Sequence, residues 1–309
     1  MNEKIVLLYE TEQGKALCDV ASRVLAQVAV AFGHTLKLNV KRSRGELTDE
    51  VLDLCADTKA VVAGDSDMAC LPELADELLC ACRMRELRYA HLLPNQSLSG
   101  TEKPLNVILV QALSSGEEAL RLTAKQAYAL SQQENLPITE VPPAGKLLQD
   151  WRAAVDGADS LSAPFHARET ALSQVIPDMV HRPARLGVLL CPPYAGGILA
   201  EAASALSGAE GMGYDTYLGG QCALYAPVRA AEEQVNPFGL LRALYHLLRD
   251  ALKLEQEAAC LEAAIRNVLQ AGWRTADIAQ PGVPPLEAGA IADLICQQIE
   301  VAGEWIAKG

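Results

Sequence analysis

Short apolar runs alternate along this chain with stretches in which apolar residues return every three or four positions. Ile5–Leu8 is a four-residue apolar run of the kind that forms a strand buried on both faces. After Gly14, the residues Leu17, Val20, Ala21, Val24, Leu25, Val28 and Phe32 recur at helical spacing, and Gly33 stops the helix. Leu36, Leu38 and Val40 alternate as a strand, and Ala60–Ala63 is a second buried strand ending at Gly64. Val107–Val110, Ile138–Val141 and Leu186–Leu190 are further short strands. A helix is expected over Glu117–Gln133, with Ala119, Leu122, Tyr128 and Leu130 available for packing. Leu240–Leu252 is apolar on more than one face, so that helix is expected in a core or a subunit interface. Strands alternating with helices imply an α/β sheet covered on both faces, with no internal repeat.

Composition narrows the function classes. The 309 residues are half hydrophobic, enough for one large or two medium cores. A net charge of −13 argues against nucleic acid and anionic membranes as partners. No run reaches the roughly 18 apolar residues of a membrane helix, and the apolar run near the N-terminus is too short for a signal peptide. A cytoplasmic protein is the expectation. The nine cysteines are scattered, and most have apolar neighbours, as reduced core cysteines do. Cys80-Ala81-Cys82 matches neither a zinc ribbon nor a redox CxxC pair.

Three later segments carry more information. They are Tyr194-Ala195-Gly196-Gly197-Ile198-Leu199-Ala200-Glu201, Ala223-Leu224-Tyr225-Ala226-Pro227-Val228-Arg229, and Asn267–Ile278. In order, they resemble the metal-binding turn, the cofactor loop and the C-terminal helix of the isopropylmalate/isocitrate dehydrogenase family. The resemblance implies a two-domain α/β/α sandwich with a mixed sheet. One domain would be built from both chain ends, residues 1–97 and 217–309. The other, 98–216, would carry the dimer interface. It further implies oxidative decarboxylation of a 2-hydroxy acid, using NAD(P) and magnesium or manganese.

The positions that would do this chemistry have changed. Gly197 stands at the first metal-ligand position and Glu201 at the second, with Glu169 nearest to the third. Among the substrate arginines, Arg83 or Arg85 corresponds to the first, Leu93 replaces the second and Gln111 the third. Neither Leu nor Gln reproduces a guanidinium fork. Taken without the resemblance, Arg83, Arg85 and Arg88 make an exposed helix face. Pro143 falls at the catalytic lysine position, leaving Lys146 as the nearest candidate, and the segment that bears the family's tyrosine is missing before Ser114. In the cofactor loop Ala226 and Arg229 replace Glu and His, and Asn236-Pro237 persists as a helix start with Asn236 as the remaining cofactor-side residue. Tyr9–Gly14 has glutamates where the family has glycines, which would repel a pyrophosphate. Gly64-Asp65-Ser66 reads as a loop turn.

Loss across metal, substrate, acid/base and cofactor positions points to a non-catalytic descendant, a pseudoenzyme or regulatory subunit, with NAD(P) and Mg/Mn lost. It would pair with itself or with a catalytic homologue. Two alternatives stay open. One is a metal-dependent enzyme rebuilt around Glu169, Glu201, Arg83 and Lys146 in the inter-domain cleft. The other is a metabolite-binding module that uses that cleft.

Overall fold

The computed structural model describes residues 2–88, 105–159, 167–207, 210–220, 222–228, 235–279 and 282–308. In chain order the elements are β1 (Asn2–Tyr9), α1 (Glu12–Phe32), β2 (Thr35–Arg42), α2 (Asp49–Ala56), β3 (Ala60–Ala63), α3 (Leu71–Glu77), β4 (Cys82–Leu87), β5 (Val107–Ala112), α4 (Glu117–Gln133), β6 (Ile138–Glu140), α5 (Leu147–Asp159), β7 (Arg168–Glu169), α6 (Leu172–His181), β8 (Gly187–Cys191), α7 (Pro193–Ser207), β9 (Tyr214–Leu218), β10 (Ala223–Pro227), α8 (Phe238–His246), α9 (Glu255–Gln270) and α10 (Ala288–Lys308). This is the α/β alternation that the hydrophobic pattern implies.

The chain packs as two compact units. The first is Met1–Leu78, Gly211–Thr216 and Gln221–Gly309, and the second is Leu79–Glu210 and Tyr217–Gly220. β4, which the resemblance assigned to the domain of both chain ends, belongs to the second unit.

In the first unit, parallel strands run in the order β2-β1-β3-β10. Ile5, Val6, Leu7, Leu8 and Ala60–Ala63 are wholly buried, as central strands covered on both faces must be. β2 lies at the edge, so Leu36 and Leu38 are only half-buried and Val40 is 47% exposed. Helix α1 starts where the Thr11 side chain accepts a hydrogen bond from the Gly14 amide at 3.0 Å. It ends at Gly33, whose left-handed φ of 69° turns its amide back to Ala29 and Val30. α8 is buried almost all round, with Phe238, Leu240, Leu241 and Leu244 inaccessible. It continues as a π-helical turn over Leu247–Ala251 that keeps Leu247 and Leu248 in the same core.

In the second unit the order is β4-β5-β8-β6-β7, with β4 antiparallel to β5 and the other pairs parallel. Side chains alternate between faces along a strand. Cys82 and Met84 of β4, Ile108, Val110 and Ala112 of β5, and Val188 and Leu190 of β8 form one core with α4 and α5. The α4 contribution is Leu120, Ala124, Ala127, Tyr128 and Leu130, while Ala119 and Leu122 are only half-buried. Trp151 of α5 fills the centre of this core. The intervening residues of β4 and β5, including Arg83, Arg85 and Gln111, are sent to the opposite face, where α7 packs on β4, β5 and β8. Arg83 and Arg85 are therefore strand residues, and Arg85 is buried with only 3% of its surface exposed. The exposed helix face expected for this segment does not form. Pairing with β5 holds it extended, and α7 covers the arginine side.

Candidate functional site

On the α7 face of the second unit, polar groups expected to serve ligands are joined to one another. Arg83 lies opposite Gln111 in the β4–β5 register. Its guanidinium donates to the Gln111 side-chain oxygen at 2.6 Å. The Gln111 amide in turn donates to the carbonyl of Pro193 at the start of α7. Gly196 makes this seat possible, since a Cβ there would collide with the Gln111 side chain. Two residues along β4, the Arg85 guanidinium donates to Glu201 at 2.9 Å and to the Ser204 hydroxyl at 3.1 Å. Glu201 and Ser204 lie three apart on α7 and so share a helix face. The side chain of Arg85 is 4% exposed and that of Glu201 69%. A buried cation thus meets a carboxylate that reaches in from the surface.

The other candidates are placed apart from this set. Glu169 sits on the exposed two-residue strand β7, within 3.7 Å of Arg152. Lys146 follows Gly145 in the turn before α5 and forms no hydrogen bond among the described residues. Asn236 belongs to the first unit, where its side-chain oxygen accepts from the Phe238 amide at 2.8 Å. Its amide nitrogen donates to Asp277 at 2.6 Å, which ties the start of α8 to the chain beyond α9. The helix-start role read from Asn236-Pro237 is present, with the first helical residue one position later than expected. Leu93, His166 and Arg229 lie outside the described residues.

The turn between β1 and α1, where a phosphate would approach the helix N-terminus, already holds an anion of its own. Asp65 accepts from the Glu10 amide at 2.7 Å, from the Thr11 amide at 3.4 Å and from the Thr11 hydroxyl. Its carboxylate rests against Gly14, where any Cβ would collide with it. Nothing in the local pattern of Gly64-Asp65-Ser66 marks this residue, because its partners are more than fifty positions away.

A second, partly buried set in the first unit also went unread. His246 Nδ1 lies 2.9 Å from Asp250, one helical turn on, and Arg249 donates to Asp250 at 2.7 Å and to the Tyr245 hydroxyl at 2.9 Å. Burial works against the charge of Asp250, but hydrogen bonds from His246 and Arg249 outweigh it and hold the carboxyl below its ordinary value. The i, i+4 spacing of His246 and Asp250 was the available signal.

The donor set can be tested against the groups that the family resemblance implies. A divalent ion of the magnesium type takes about six oxygen ligands. Gly197 supplies none, Glu201 is hydrogen-bonded to Arg85, and Glu169 faces Arg152. Among the described residues no three His, Cys, Asp or Glu side chains converge. These residues do not fit such an ion. The Asp65-filled turn likewise does not fit a dinucleotide phosphate. The cysteines are free, with seven buried and Cys260 and Cys296 half-buried. Burial pushes the thiols of Cys18, Cys55 and Cys82 up to about 12, which keeps them protonated and unreactive. No helix among the described residues is long and apolar enough to cross a membrane.

Comparison with known proteins agrees with the fold. The family model for isocitrate/isopropylmalate dehydrogenase matches residues 146–293. A 3-isopropylmalate dehydrogenase from Moorella thermoacetica is 28% identical over 182 residues, 56% of this chain and 51% of that protein. The chain therefore spans about half the length of that relative. A 3-isopropylmalate dehydrogenase from Halalkalibacterium halodurans aligns over 98% of this chain and 99% of its own length at 24% identity. The crystal structure of isocitrate dehydrogenase from Methylococcus capsulatus superposes with a TM-score of 0.81, covering 96% of this chain and 99% of that one at 17% identity. On the sequence matches and the shared fold together, the chain is similar to the isocitrate/isopropylmalate dehydrogenase family and has its fold.

Proposed function

We propose that this chain is a non-catalytic member of its family, acting as a subunit that pairs with itself or with a catalytic relative. The observation that carries this reading is the engagement of Arg85 with Glu201. A cation that would hold a substrate carboxylate and a carboxylate that would hold a metal neutralise each other, while Gln111 accepts a hydrogen bond from Arg83. A substrate carboxylate would have to displace Glu201 from Arg85 and Gln111 from Arg83 before it could pair with either guanidinium. On this reading NAD(P) and Mg/Mn have been lost along with the chemistry. The cell compartment of such a subunit is the cytoplasm.

The partner half of the proposal rests on the outer surface of α6 and α7. Ile176, Tyr194 and Ile198 are 40%, 82% and 41% exposed on these two helices, which pack together. Large apolar side chains left in water on neighbouring helices suit a protein interface. Light scattering on the purified chain, alone and mixed with a catalytic relative, tests this half.

Thermal unfolding with NAD or NADP, with and without magnesium or manganese and a panel of malate-type acids, tests the loss of chemistry. The expected result is no shift under any combination. A ligand present at 100 times its dissociation constant would add about 2.7 kcal/mol. A shift that required cofactor and metal together, followed by measurable turnover, would overturn the non-catalytic reading. The alternative of a rebuilt metal-dependent enzyme draws on the 69% exposure of the Glu201 side chain, which leaves one carboxylate oxygen in reach of a ligand. It predicts that Glu201→Ala abolishes that turnover.

A further inference from the structure

The first unit contains an open cavity, lined mostly by charged and hydroxyl-bearing residues, that the family chemistry does not use. It has a volume of about 570 Å³ and is lined by Lys41, Arg42, Ser43, Arg44, Glu46, Thr48, Glu50 and Val51, within the usual size range for small-molecule sites. All of these residues come from the end of β2, the loop after it and the first turn of α2. Open α/β sheets place ligands beyond the carboxyl ends of their parallel strands, and this cavity has that position relative to β2.

Its charges are unevenly satisfied. Lys41 is paired with Glu50 at 2.5 Å. Ser43 is anchored away from solvent, its amide bonded to the Tyr9 carbonyl and its hydroxyl 3.3 Å from the Cys70 sulfur. The Thr48 hydroxyl caps α2 by accepting from the Val51 amide. Arg42 and Arg44 are both exposed, and the side chain of neither forms an ion pair or hydrogen bond among the described residues. With Lys41 and Glu50 neutralising each other, the lining retains two guanidinium groups and one further carboxylate, Glu46. In a chain of net charge −13, two unpaired arginines on one concavity stand apart from the general surface.

We propose that this cavity binds a small hydroxylated oxyanion, with Arg42 and Arg44 gripping the anionic end and Glu46 accepting from a hydroxyl. A guanidinium offers paired N–H donors whose spacing matches two oxygens of a phosphate or carboxylate. Glu46 disfavours a bare multiply charged anion and favours a ligand that brings its own donor. The anionic end is a phosphate or a carboxylate, and matched three-carbon probes separate the two.

Calorimetric titration of the whole chain with glycerol 3-phosphate, glycerate and inorganic phosphate tests this. One of the two hydroxylated probes should bind, more tightly than inorganic phosphate and more weakly as salt is added. Which of them binds identifies the anionic group. The double variant Arg42→Ala/Arg44→Ala should lose at least about tenfold in affinity with its melting temperature unchanged. Lys15→Ala/Arg266→Ala, which removes the same charge from exposed positions elsewhere, should bind as wild type. Glu46→Gln should narrow the gap between the hydroxylated probe and inorganic phosphate. No heat from any probe at millimolar concentration, or equal weakening by the two double variants, would overturn the proposal. Neither result bears on the dehydrogenase test, which uses different ligands and different residues.

Discussion

Arg85 and Arg42 sit on strands in the two units, and they differ in almost every physical respect. Arg85 is buried under α7 and tied to Glu201 and Ser204. Arg42 ends an edge strand, is exposed and has no partner among the described residues. The first is one of the two arginines that the family resemblance nominates for substrate, yet it is engaged in packing. The second stands where the family resemblance assigns nothing, yet it is available to a ligand. Charge near an ancestral position is therefore a poor guide to present use. What matters is whether the structure has already satisfied that charge.

Mutations can break this comparison. The largest effect is expected from Arg85→Ala, which removes a packed side chain and strands the Ser204 hydroxyl, for a loss of about 3 kcal/mol in denaturant unfolding. Arg85→Met, similar in volume and apolar, should recover most of that loss if the pair is structural. Failure of Met to recover stability would mean that the charge itself is required. Asp65→Ala removes the acceptor for two amides and a hydroxyl at the start of α1 and should destabilise by about 2 kcal/mol. If that variant instead gained affinity for phosphate or NAD at unchanged stability, the turn would be a site held shut and not a structural anchor. Glu201→Ala should be milder, about 1 kcal/mol, because the carboxylate is mostly exposed and water can replace it.

Acid titration sharpens the same contrast within the first unit. The Asp250 carboxyl is held below its ordinary value in the folded chain, so its contribution is present above the ordinary carboxylate range, about pH 4. It is lost as pH falls through the folded value. The stability advantage of wild type over Asp250→Asn should therefore shrink on acidification, which unfolding curves across pH would show. The smallest stability effect belongs to Arg42→Ala and Arg44→Ala, under about 0.5 kcal/mol each, since neither holds a partner. A larger loss there would mean that these arginines are structural after all, like Arg85.

Much of the scaffold was legible in the residues. The apolar run at Ile5–Leu8, the helical spacing from Leu17 to Val28 and the apolar helix after Leu240 each lie where the pattern placed them, because a strand buried on both faces and an amphipathic helix have distinct periods. The Arg83–Arg88 segment differs from the expectation. Its closely spaced arginines suggested a solvated helix face, whereas pairing with β5 and cover by α7 make it a strand with a buried arginine. Gln111 was read as a lost arginine. Its present role, bridging Arg83 to the Pro193 carbonyl, depends on a contact across 82 positions. Lys146 and Glu169 were nominated by alignment alone, and neither joins the polar set around Arg85.

The sequence by itself determined the α/β class and the family resemblance, because these follow from local periodicity and from short runs of side chains. Tertiary structure decided how the surviving charges are used. Whether Asp65, Arg85 or Arg42 is engaged or open depends on the residues that folding brings beside it. For Asp65 and Arg85 those neighbours lie more than fifty and more than a hundred positions away, where no local pattern reaches.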